Sequence, residues 1–405
     1  MLLSNKNFYF HILIFSLFLI PFSIQSKLGG ISANYLFLIY PIILILINRE
    51  IQIIRKDIYF IFIYYTLALL ITLFYDINDI EINIRRILSF VLFISMFSFV
   101  FIRIDNTTYH SFFISFIIIG LFLSLYSINT YFMFGGGAEL GFRAKAILGT
   151  SRYGFIYSFL FFFVLLNNYP KFIKFPLLII FILGIFLTYS RSSVLSFGLT
   201  SFFLFIYYSY IFIKNSSPKN IIIYLSLSLL TTFVLILICY IFFYNIFNYY
   251  TTRGLLLLFH LHGESDGFNL FNYKSSEGYR FLILSMILDY LNSNNFFGSG
   301  FLGIWYINSP EFTSKVISGF IGSAHSQYFD VLIRTGYVGL LLYLYILFRI
   351  LFYFFCFNKP IFWGLISIFF YSFFHETFKM SYGSFLFAFL ISIYSNNYYE
   401  NEKKI

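Results

Sequence analysis

Apolar runs long enough to cross a bilayer recur along almost the whole of this 405-residue chain. A membrane helix needs about 17–25 predominantly apolar residues. Runs of roughly this size lie near residues 8–24, 31–47, 58–75, 87–104, 110–134, 153–168, 172–189, 192–213, 221–247, 326–355, 361–375 and 380–395. In lipid every backbone N–H and C=O has to be satisfied within the protein, and at these lengths helices are the structure that achieves it. Composition agrees: 60% of the residues are hydrophobic and 10% charged, against roughly a quarter charged in soluble domains. The chain reads as an all-α integral membrane protein of about twelve transmembrane helices.

One long polar interval interrupts the pattern and divides the chain into residues 1–247 (spans one to nine), 248–325 (a large loop) and 326–405 (spans ten to twelve). The loop opens with Arg253, His260, His262, Glu264 and Asp266, carries Gly278-Tyr279-Arg280 and Gly298-Ser299-Gly300, and closes on Ala324-His325-Ser326. Glu277–Leu291 has apolar positions at helical spacing, which predicts an amphipathic helix lying on the bundle. Asn292–Asn295 ends it, and Gly298–Gly303 is a tight turn. Ser309-Pro310 introduces a second short helix in which Glu311 and Lys315 form an i,i+4 pair. A shorter loop at 135–152 begins with three glycines and leads to Arg143, Lys145, Gly149 and Arg152.

The formal charge of +10 is spread between spans rather than clustered on one face, so nucleic acid is not the expected partner. With a cytoplasmic N-terminus, Lys6, Arg49, Arg55, Lys56, Arg103, Lys171, Lys174, Lys214, Lys219, Arg349, Lys359, Lys403 and Lys404 fall on the cytoplasmic side. By total count the two sides then balance, and an inside excess emerges once the long interval is excluded, as the positive-inside rule permits. That places residues 248–325 on the extracytoplasmic face. The first apolar run lacks a small-residue cleavage site and reads as an uncleaved helix. Cys239 lies mid-span and Cys356 at a span end, which suggests neither a disulfide nor a metal site.

Arg191, in Thr188-Tyr189-Ser190-Arg191-Ser192-Ser193, sits in a short polar break between two apolar spans. An arginine at membrane depth is costly and generally faces a cavity or partner, and its planar fork suits phosphate oxygens; the competing reading is an interfacial anchor. Arg280 is either a second anion ligand or the partner of Glu277, three residues earlier. Arg143 and Arg152 flank a glycine-rich entry and are candidate anion contacts. His325 opens the tenth span, where an imidazole beside a cavity can exchange protons near neutral pH; the alternative is a hydrogen-bonded interfacial histidine. Asp330 and Arg334 are spaced to neutralise each other, and Glu376, in the last outer loop, could line the cavity. His260 and His262 lack a third ligand, so no metal is expected. Gly298, Gly300 and Gly303 match a dinucleotide fingerprint as text, but without a strand or a βαβ unit they serve to let the loop pass close to the bundle or substrate.

Taken in order, these features resemble the O-antigen ligase/polymerase superfamily. Ser190-Arg191 lies between spans seven and eight, and the large outer loop follows span nine. Within it Arg280 precedes Gly298-Ser299-Gly300, and His325 opens a Leu/Gly-rich helix; residues 324–340 are the most specific part. The stretch from Arg143 to Gly154 is similar to the arginine-and-glycine loop of Wzy-type polymerases. The likeness covers roughly residues 130–345. Ser326 stands where Asn often follows the histidine, and Arg152 where a polar amide is frequent, which leaves ligase and polymerase both open.

The resemblance implies a GT-C-like bundle in the bacterial inner membrane, with its active site facing the periplasm. It implies an undecaprenyl-diphosphate-linked oligosaccharide as donor, surrounding membrane lipids, and chain-length regulator and flippase proteins as partners. Arg191 and Arg280 would hold the diphosphate, Arg143, Arg152 and Glu376 would make auxiliary phosphate or glycan contacts, and His325 would act as base or acceptor positioner. No cofactor or metal is called for. The expected function is polymerisation of surface-polysaccharide repeat units, with ligation to lipid A core as the alternative and a flippase or other transporter as the non-enzymatic one. Transporters tend to carry internal repeats and central polar residues, whereas this chain concentrates its charge in one loop.

Overall fold

The computed structural model describes residues 56–71, 100, 104, 106–134, 154–187, 190–215, 276–293, 297–300, 303, 326–375 and 381–395. Among them the regular elements are helices: α1 (Lys56–Ile71), α2 (Asn106–Phe134), α3 (Gly154–Leu166), α4 (Lys171–Leu187), α5 (Arg191–Asn215), α6 (Ser276–Asn292), α7 (Gln327–Phe357), α8 (Lys359–Ser372) and α9 (Ser381–Ser395). Thr108–Asn129 in α2, Ser192–Asn215 in α5 and the whole of α7 are long and apolar enough to cross a membrane, by length and composition. Eight of the expected runs coincide with helices, α1 to α5 and α7 to α9, to within a few residues at each end. The runs at 8–24, 31–47 and 221–247, nearly all of 87–104, the loop at 135–152 and the helix expected after Pro310 lie outside the described residues.

The chain divides into two units. Unit 1 comprises residues Met1–Ile119, Tyr273–Phe362 and Ser372–Ile405, and unit 2 comprises Gly120–Asn272 and Trp363–Tyr371. In unit 2, α3 is apolar all round and correspondingly buried, with Phe155 through Leu160 essentially inaccessible. It packs against α4 and α5. Small residues sit where helices cross: a Cβ at Gly154 would collide with the Ser193 side chain, and one at Gly184 would lie 2.8 Å from Ser124 Oγ. Lipid tails are as apolar as the side chains, so close packing of this kind, rather than exclusion of water, holds membrane helices together. The buried Tyr157 hydroxyl shares a 3.1 Å hydrogen bond with Ser127 Oγ.

In unit 1, α7 packs against α1, α6 and α9. Phe112 of α2 stacks on Phe389 of α9 at 3.6 Å, and Arg349 Nε donates to the Tyr394 hydroxyl at 3.2 Å. Asn358 both ends α7 and starts α8. Its N–H donates to Phe354 O, and its Oδ1 accepts from Ile361 N at 3.0 Å. Asparagine is a favoured helix N-cap, and Pro360 just inside α8 is tolerated in a first turn, where no intrahelical donor is needed.

Candidate functional site

Among the described residues of unit 1, the stretch from α6 to the first half of α7 holds a connected set of polar contacts. Helix α7 is not continuous: Gly336 has φ 69° and ψ −171°, a region that is essentially glycine-only. A non-helical residue disturbs the i to i+4 ladder around it, and buried carbonyls there need other donors. Ile333 O accepts from Ser299 N at 2.7 Å and from Ser299 Oγ at 3.2 Å. Thr335 O accepts from the Tyr64 hydroxyl at 2.9 Å, and Gly339 O from the Tyr65 hydroxyl at 2.7 Å. The broken helix is thus supported on one side by the glycine turn and on another by α1.

The expected glycine turn is present. Gly298, Gly300 and Gly303 all have positive φ, and a Cβ on Gly298 would lie 2.5 Å from Ile333 O. Glycine here permits the backbone to lie directly on α7. Arg334 completes the docking. Its Nε pairs with Asp330 Oδ2 at 2.9 Å, its Nη1 donates to Gly300 O at 3.3 Å, and its guanidinium lies against Gly303, where a Cβ would come within 2.8 Å. Asp330 and Arg334 neutralise each other as expected. The Arg334 fork also grips the turn, which i,i+4 spacing alone does not reveal.

The amphipathic helix expected over Glu277–Leu291 is α6. Its Ile283, Met286, Ile287, Tyr290 and Leu291 form a buried cluster with Leu332 and Ile333 of α7, while Ser285, Asp289 and Asn292 are exposed. Arg280 lies on α6 one turn before Ile283, so its backbone is set by that apolar seam. The start of α7 is fixed as well. Ser326 Oγ donates to Ser372 O at 3.3 Å, and Gln327 N donates to His375 O at 3.1 Å. These bonds join the chain just after His325 to the chain just before Glu376. His325, Glu376, Arg143 and Arg152 themselves lie outside the described residues.

Arg191 belongs to unit 2, where it opens α5. Ser190 precedes it as the cap: its O and Oγ both accept from Ser193 N, at 3.0 and 3.4 Å, and its Oγ shares a 2.8 Å hydrogen bond with Ser192 Oγ. The first turn of α5 has no acidic residue. A helix N-terminus whose first turn has no acidic residue is an electrostatic arrangement that favours an anion.

Residues 176–344 match the O-antigen ligase family model. That stretch is similar to the O-antigen ligase/polymerase superfamily that the motifs resemble. The matched stretch runs from α4 into α7 and takes in Arg191, Arg280, the glycine turn, His325 and the break at Gly336. No curated protein and no solved structure matches the chain. Nothing in the spacing of residues 176–344 announces the Tyr64 and Tyr65 hydroxyls, which come from α1, more than 270 residues away in the chain. The Thr335-Gly336-Tyr337 triplet was the available signal for the break, since a lone glycine inside a helical pattern marks either a packing site or an interruption.

Proposed function

We propose that this protein is a polymerase of O-antigen or a related surface polysaccharide, which joins undecaprenyl-diphosphate-linked repeat units at the periplasmic face of the bacterial inner membrane. The observation that carries the reading is the O-antigen ligase match over residues 176–344, because it encloses Arg191, Arg280 and His325 in one stretch. In this reading the hydroxyl oxygen of the acceptor attacks the anomeric carbon of the donor sugar from the face opposite the diphosphate. The anomeric C–O bond breaks, the electron pair leaves with the diphosphate, and the configuration inverts. His325 takes the hydroxyl proton or orients the acceptor. Arg191 and Arg280 stabilise charge that grows on the leaving diphosphate, as fixed cations do without reorganising. Arg143, Arg152 and Glu376 contact phosphate or glycan, and no metal is assigned.

The ligase reading is favoured by the family's own description. It differs in the acceptor, which is lipid A core instead of a second lipid-linked repeat unit. Purified full-length protein in liposomes, given lipid-linked repeat units with and without lipid A core, separates the two. A ladder of longer lipid-linked glycans without core supports polymerisation, and transfer that requires core supports ligation. If neither acceptor gains a glycosidic bond while lipid-linked sugar crosses the liposome membrane, the chain is a transporter and the proposal fails.

A further inference from the structure

Arg334 pairs through Nε with Asp330 on its own helix, and its reach extends beyond that pair. A second donor reaches the carbonyl of Gly300, and the guanidinium plane fills the space that a side chain at Gly303 would need. The neighbouring Ser299 fastens the same turn through its N–H, which donates to Ile333 O, and through its one hydroxyl proton, shared between Gly303 O at 2.7 Å and Ile333 O at 3.2 Å. The turn follows α6, whose buried face rests on Leu332 and Ile333. The contacts of Arg334 and Ser299 therefore fix, relative to one another, the helix that bears Arg280 and the start of the helix that follows His325. An ion pair whose side chains are 19% and 5% exposed is a poor source of net stability, because desolvation offsets its attraction. Holding a backbone turn at a fixed distance is a better account of it.

We propose that Arg334 is a positioning residue for glycosyl transfer: with Ser299 it locks the Gly298–Gly303 turn onto α7 and so sets the placement of Arg280 relative to the segment beginning at His325. This rests on the transferase reading above. It requires the bidentate geometry of arginine, since lysine can keep the ion pair with Asp330 but has no planar fork to reach Gly300 O at the same time. A misplacement of about 1 Å can cost on the order of a hundredfold in turnover.

The test uses the full chain in liposomes, with Cys239 and Cys356 replaced by serine, as Arg334→Lys, Ser299→Ala and the double variant. Spin labels on cysteines at Phe297 and Leu341, both exposed, report the distance between turn and helix, and steady-state kinetics with lipid-linked repeat units reports kcat and KM. The expected result is a broadened distance distribution and a kcat about tenfold or more lower, with the donor KM little changed. The double variant should be no worse than the poorer single one, because both act on one element. If Arg334→Lys fails to insert, Ser299→Ala, which removes no charge, carries the same test. A broadened distribution with wild-type kcat would overturn the proposal, as would an unchanged distribution in both single variants. Wild-type protein that makes no glycosidic bond would instead defeat the transferase reading, and the distance measurement would still decide whether Arg334 sets the turn.

Discussion

The Tyr64 hydroxyl donates to the Thr335 carbonyl across 2.9 Å, one residue before α7 leaves helical geometry. Tyr65, its neighbour, does the same for Gly339 O beyond the break. Two adjacent phenols on α1 thus supply donors on both sides of Gly336. Leaving a buried acceptor unsatisfied costs about 1–3 kcal/mol. Tyr64→Phe and Tyr65→Phe should each lower the thermal midpoint of detergent-solubilised protein, while removing almost no apolar area. A double variant with an unchanged melting midpoint would show that water or other groups serve these carbonyls equally well.

The glycines differ in what they tolerate, and the structure ranks them. Gly198 on α5 has nothing within 4 Å of where a Cβ would be built, so Gly198→Ala should raise stability by about 0.5–1 kcal/mol through helix propensity. Gly336→Ala forces an L-residue into a conformation that costs on the order of 1–3 kcal/mol, and it should lower the thermal midpoint. If Gly336→Ala and Gly198→Ala shift the midpoint equally, the break at Gly336 does not persist in the membrane.

Sidedness underlies the periplasmic assignment. A cysteine at Ser265, in a chain lacking its native cysteines, should react with a membrane-impermeant thiol reagent in intact spheroplasts. Labelling that appears only after the membrane is disrupted would put residues 248–325 in the cytoplasm, and with them the proposed acceptor site.

The chemistry of the arginines and the histidine is testable by conservative change. Arg191→Lys and Arg280→Lys keep the charge but lose the fork, and both should abolish most glycan extension while membrane insertion is retained. His325→Ala should slow extension about 10²–10⁴-fold if the imidazole is a general base, whereas His260→Ala and His262→Ala should be nearly silent. Chain extension at the wild-type rate by His325→Ala would remove the base from the mechanism, and a strict requirement for a divalent cation would replace the arginine account of diphosphate stabilisation.

The parts of the fold that the sequence announces are those governed by local periodicity. The extent of α6 was legible because its apolar positions recur at helical spacing and Asn292–Asn295 offer no continuation. The turn at Gly298–Gly303 was legible because three glycines crowd into six residues. The Asp330–Arg334 pair follows from i,i+4 spacing as well. What stayed hidden is the set of long-range bonds: Tyr64 to Thr335, Ser299 to Ile333, Arg334 to Gly300 and Gln327 to His375. Each joins groups whose spacing along the chain carries no period, and tyrosines are so frequent in this sequence that composition could not single out two of them.

The break at Gly336 also changes what thickness of membrane α7 has to match. As one rod, the 31 residues of α7 would be roughly 46 Å long at 1.5 Å per residue, well beyond a hydrocarbon layer of about 30 Å. The run after Gly336 alone is roughly 31 Å long by the same measure. It is also the part with a large apolar stripe turned outward, through Leu341, Tyr345, Phe348 and Phe352, whereas residues 327–335 are buried or half-buried throughout. Length and exposure together let the second run fill the oily layer by itself. Asp330 and Arg334 are then carried on a short extension beyond its end, and a charged pair there is spared most of the insertion cost that it would meet at the bilayer centre.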